Sequence, residues 1–89
     1  MQATGQPEQA RAQYSAALTL AVATGDRYQQ ARAHTGLAHA RHAAGEDGLA
    51  REHWQHALTL YDDLGVPDAE IVRVHLAALG HLPESSGTT

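Results

Sequence analysis

The chain has 89 residues and a mass of 9.5 kDa, enough for one domain that buries roughly 63% of the surface of its unfolded chain. It has no cysteine, which excludes disulfides, thiolate nucleophiles and cysteine metal sites. Six Arg against ten Asp and Glu give a net charge of -4, which argues against a phosphate-binding surface for nucleic acid, and no apolar run approaches the ~18 residues of a membrane span.

Gly5, Gly25, Gly45 and Gly65 mark turns every 20 residues, and each interval is one helix plus a turn. Ala, Leu, Gln, Glu and Arg dominate between them, so propensity favours helix throughout. After a flexible segment at 1–6, the domain at 7–82 is predicted to hold helices at about 7–24, 27–44, 48–64 and 67–81. Pro7 and Pro67 suit first helical turns, Asp26 with Gln29 three residues on reads as a capping box, and Asp47 reads as the N-cap of the third helix. The tail at 83–89 has nothing to bury and is expected to be disordered. With neither a basic start nor an apolar signal core, the chain reads as soluble and cytoplasmic.

A shift of 40 residues aligns the two halves. Gly5, Ala10, Arg11, Ala17, Leu18, Thr19, Leu20 and Gly25 fall on Gly45, Ala50, Arg51, Ala57, Leu58, Thr59, Leu60 and Gly65, with Tyr14 opposite Trp54. The matches are the Gly turns and one helix face, as stacked equivalent helices require. Tyr14 and Trp54 are therefore expected as packing anchors, with Leu18, Leu20, Leu37, Leu58, Leu60 and Leu64 as core. Arg11, Arg51, Glu52, Asp62 and Asp63 are expected on solvated faces.

His34-x-x-Leu37-Ala38-x-x-Arg41, then Gly45, then Ala50-x-x-x-Trp54-x-x-Ala57-Leu58-x-Leu60 resembles a tetratricopeptide repeat. His34, Ala38 and Arg41 stand where that pattern has Trp, Gly and Tyr. Residues 32–79 further resemble the C-terminal repeat region of actinobacterial transcriptional regulators of the Streptomyces antibiotic regulatory protein type and the LuxR type. The resemblance implies an all-α fold, four antiparallel helices stacked as a short right-handed solenoid. It implies a protein-protein interaction or oligomerisation module, the sensor or regulatory arm of such a regulator. A free-standing peptide-binding or dimerisation module is the alternative, and a small His-rich metal protein or enzyme the third reading.

On the repeat pattern the first and third helices are of the second type, and the second and fourth of the first type, so each end lacks a mate. Arg32, Thr35, His39, His42, Val72, His75 and Leu79 are placed by position on the groove of the two first-type helices. That groove is expected to meet a protein or peptide. The Lys and Asn with which peptide-binding members clamp a carboxylate are absent, so that mode is not expected, and an acidic peptide would rest on Arg32 with the histidines instead. The fourth helix is apolar nearly all round, so Ile71, Val74, Leu76, Leu79 and Leu82 are expected to drive self-association, as a closed dimer rather than a fibre.

Seven His raise the question of a metal. His39 and His42 pair on one helix and His53 and His56 on the next, but the repeat pattern puts the pairs on different faces, so no metal, cofactor or catalytic residue is expected. His34, in the Trp position, reads as a half-buried packing residue.

Overall fold

A computed structural model of the chain describes residues 6–81. The flexible segment expected at 1–6 lies outside the described residues except for Gln6, and so do Leu82 and the tail expected at 83–89. Four helices and no strand occur among the described residues: α1 (Gln6–Thr24), α2 (Arg27–Ala43), α3 (Asp47–Leu64) and α4 (Asp68–His81). In a folded chain tertiary packing of one face, more than propensity, carries most of the stability of helices such as these.

The three turns are copies of one another. Gly25, Gly45 and Gly65 have φ of 75°, 83° and 71°, the left-handed region in which a Cβ is strained. In each turn the residue after the glycine donates its N–H five residues back: Asp26 to Ala21 O at 2.9 Å, Glu46 to Arg41 O at 2.8 Å, Val66 to Tyr61 O at 3.3 Å. This Schellman closure satisfies carbonyls that the ending helix leaves free. Such short connections fold each helix back on the last, and α1 packs on α2, α2 on α3, and α3 on α4.

The helix starts differ from the expected ones at two places, one being Pro67, which stands one residue ahead of α4 rather than in its first turn. Asp26 does cap α2, its carboxylate accepting from Gln29 N–H at 3.1 Å. At α3, however, Glu46 holds the N-cap position without a side-chain cap bond, and Asp47 is the first helical residue. The Schellman closure already holds Glu46 N–H, and Arg41 holds its carboxylate at 2.8 Å, which lowers the Glu46 pKa.

The core runs through α2, α3 and α4. Ala31, Ala38, Ala50, Trp54, Ala57, Tyr61, Ala69, Val72 and Leu79 form one buried cluster, with Tyr28, Leu58, Leu60, Val66 and Leu76 packed against it. Small Ala faces let the helices approach closely, and Trp54, only 2% exposed, fills the space between them. Exposed ion pairs tie the ends together: Arg27 with Asp63, and Arg73 with Asp62 at 2.8 Å. Tyr28 donates to Asp68 at 3.0 Å, joining α2 to α4.

Two residues assigned to the core are on the surface. Leu20 is 65% exposed and Leu64 is also exposed. Leu20 borders a shallow hollow with Asp26 and Gln29 and is otherwise open, and Leu64 is 39% exposed at the end of α3, since apolar character alone does not bring a covering helix.

Candidate functional site

Arg32, Thr35, Gly36 and His39 recur at helical spacing and so share one face of α2. Gly36 is the middle of that face for a steric reason. A Cβ there would fall 2.4 Å from the ring of Tyr14, which reaches across from α1. Tyr61 closes the far side from α3. Tyr14, Arg32, Thr35, Gly36, His39 and Tyr61 together line a cavity of about 210 Å3. A second hollow of about 180 Å3 continues it between Arg32, Gln29 and Ala33 of α2 and Tyr14 and Ala17 of α1.

The electrostatics of this groove are set by Arg32. Arg11, Arg27, Arg41 and Arg73 each enter an ion pair, whereas Arg32 enters none among the described residues. Its neighbours are hydroxyls and imidazole, with no carboxylate lining the cavity. Burial raises the Tyr61 pKa, so that hydroxyl stays a neutral donor. The Thr35 hydroxyl donates to Ala31 O at 2.9 Å, so the guanidinium, which has no ion pair among the described residues, is the group there suited to a planar anion such as a carboxylate.

His39 extends the groove toward α4. Its ring stands edge-on to Trp54 at 5.2 Å and to His75 at 4.8 Å, and His75 stacks flat on Trp54 at 4.9 Å. Packing there desolvates His39, and with His75 close by its pKa is lowered. His42, further along α2, bonds Asp47 at 2.8 Å and lies 6.0 Å from Trp54. Trp54 Nε1 is buried with no hydrogen-bond partner, at a cost of about 1–3 kcal/mol.

Of the seven groove positions read from the sequence, Arg32, Thr35, His39, His42 and His75 fall along this side of the molecule. Val72 and Leu79 do not: they are 1% and 4% exposed and belong to the core. Ala69, Val72, Leu76 and Leu79 make one stripe of α4 that packs against the core, so these positions cannot meet a ligand. The same fact removes Leu79 from the self-association set, and Leu76 is half-buried. Tyr14, Gly36 and Tyr61 line the groove although the sequence reading placed none of them there. A glycine in mid-helix was the available signal, since it costs about 1 kcal/mol against Ala and needs a packing reason.

The two histidine pairs are separated. His53 and His56 gather around His34, whose Nδ1 lies 3.1 Å from His53 Nδ1 and whose ring stacks on His56 at 4.9 Å. His34 is half-buried there, and burial with the two neighbouring rings pushes its pKa down to about 4. One of the two facing Nδ1 atoms must be protonated and the other bare. Among the described residues no group of three or more His, Asp or Glu is arranged to hold a metal ion.

The ends of the stack carry a second kind of surface. Repeat-equivalent positions differ sharply between α1 and α3. Tyr14 is 39% exposed where Trp54 is 2%, Ala17 is exposed where Ala57 is buried, and Leu20 is open where Leu60 packs on the core. At the other end Ile71 and Val74 are 60% and 66% exposed. A shift of 40 places them on Ala31, which is fully buried, and on His34, which meets α3. Leu82 of the proposed self-association set lies outside the described residues. Compared with known proteins, the chain matches no family model, no curated protein and no solved structure.

Proposed function

We propose that the chain is a protein-contact module of tetratricopeptide type, serving as the sensor or regulatory arm of an actinobacterial transcriptional regulator in the cytoplasm. The observation that carries this reading is the unequal burial of equivalent helices. Residues that α3 buries are left open by α1, and residues that α2 buries are left open by α4, so both ends present faces shaped for another helix. Helical repeats act through such surfaces by shape and apolar contact.

The test is a photo-crosslinking amino acid at Ala17, on the open face of α1, in cells that make the native protein. Covalent protein adducts are expected there and not from a control position at Thr59. Equal labelling at both positions overturns the reading. Helix-turn-helix and Walker-type segments in the same reading frame would support the regulatory assignment.

Arg32 favours a second reading, a free-standing peptide-binding module. Its unpaired guanidinium in the 210 Å3 cavity is suited to an acidic peptide. Under this reading an acidic peptide in titration binds the chain and loses affinity in Arg32→Ala.

A further inference from the structure

The pairing of α2 with α3 is a template for what covers the two open ends. In that pair His34 of α2 lies between His53 and His56 of α3, and Ala31 and Ala38 join Ala50, Trp54 and Ala57 in the core. Advancing α2 by 40 residues gives α4, and Val74 takes the place of His34, Ile71 of Ala31 and Ala78 of Ala38. Moving α3 back by 40 residues gives α1, and Gln13 and Ala16 take the places of His53 and His56, with Tyr14 for Trp54 and Ala17 for Ala57. The chain thus holds both halves of one further copy of the α2·α3 contact, at opposite ends and with both halves exposed.

We propose that a second copy of this chain supplies the missing partner: α4 of one molecule seats on α1 of the next in the register of the α2·α3 pair. This deepens the contact-module reading and rests on it. The pair is antiparallel, with Val74 of one copy between Gln13 and Ala16 of the next. One turn nearer the start of α4, Ile71 reaches the Ala17 and Leu20 turn, one turn further along α1. The contact is more apolar than its template, because Val74 replaces a histidine and Gln13 and Ala16 replace two. It removes from water four large exposed apolar side chains, Tyr14 and Leu20 of α1 and Ile71 and Val74 of α4, and leaves Val22 outside the contact. Because the two surfaces differ, the contact is heterologous: it joins molecules head to tail and leaves one free α1 and one free α4, in place of the closed dimer expected from the sequence.

Two variants test the pairing, each blocking one surface. Val74→Arg and Ala16→Arg place a long cation at the centre of α4's face and α1's face. Both sites are exposed in the single chain, and Arg is a good helix former, so circular dichroism and melting at low concentration are expected to match the parent. In light scattering after size exclusion, the parent chain is expected to grow in mass with concentration. Each variant alone associates roughly thirtyfold more weakly or worse, as loss of a central contact gives. Mixed together, the variants are expected to recover a 1:1 complex, through the intact α1 of V74R and the intact α4 of A16R. A monomeric parent at millimolar concentration overturns the proposal, as does parent-like association of either variant or a mixture that stays monomeric. A monomeric parent that still crosslinks to another protein from Ala17 in cells sinks the second-copy assignment alone. Loss of both signals sinks the contact-module reading as well.

Discussion

Gly36 and Tyr14 form the most sharply defined contact between α1 and α2. The helix would gain about 1 kcal/mol from Ala at position 36, but the added Cβ meets three atoms of the Tyr14 ring at 2.4 to 2.6 Å. The whole ring has to move. Gly36→Ala alone is therefore expected to destabilise the chain, and the same change in a Tyr14→Ala background to stabilise it by about 1 kcal/mol. Urea titration of the four members of this cycle reads the reversal of sign; equal effects in both backgrounds would remove the steric account. His34 gives a second prediction at this scale. Its folded pKa of about 4 lies below the ordinary value near 6.5, so the unfolded chain binds the proton more readily. Its contribution is complete above about pH 6.5 and is lost as pH falls toward 4. The urea midpoint is expected to drop between pH 7 and pH 5, and His34→Gln to make that drop smaller.

At the scale of the helix, the 20-residue punctuation and the face of matched positions were legible in the sequence. Four helices follow from that pattern, with Trp54, Ala57 and Leu37 buried as their spacing implies. Burial of Leu20, Leu64, Val72 and Leu79 was not legible. Hydropathy tells which side of a helix prefers cover, and only the arrangement of neighbours decides which side receives it. The contrast is measurable on the repeat pair. Trp54→Ala is expected to cost about 3–5 kcal/mol, and Tyr14→Ala, on the equivalent but half-covered position, about 1–2 kcal/mol. Equal costs would mean that α1 is packed as fully as α3. The turns carry their own test. Gly45 at φ 83° has open space around it, so Gly45→Ala costs about 1 kcal/mol through the backbone alone. Gly45→Asn, which tolerates the left-handed region, is expected to cost less in thermal melts.

Across the whole molecule the helices pack mainly on their chain neighbours, and the radius of gyration of 14.0 Å exceeds the roughly 12 Å of a compact chain of this length. The stack is flat, 47 × 40 × 16 Å, so each end helix is uncovered on one side, and both ends here carry exposed apolar side chains. The repeat made this legible from the sequence as two unmated helices. It did not reveal the groove at Arg32, because Tyr14 and Tyr61, 47 residues apart in sequence, converge there from α1 and α3. If ends associate, stability is coupled to concentration. The melting temperature of the parent chain is expected to rise as concentration increases, while that of Val74→Arg stays constant; a parent melt independent of concentration would leave the ends without a stabilising role.

The stacking of His75 on Trp54 has a spectroscopic consequence. Trp54 is the chain's single tryptophan, and α4 supplies the ring that lies flat on its indole. Detachment of α4 admits water to that indole while α1 and α2 stay docked. Tryptophan emission then shifts to the red ahead of the loss of helical ellipticity, and the interval between the two transitions measures how tightly the last helix is held.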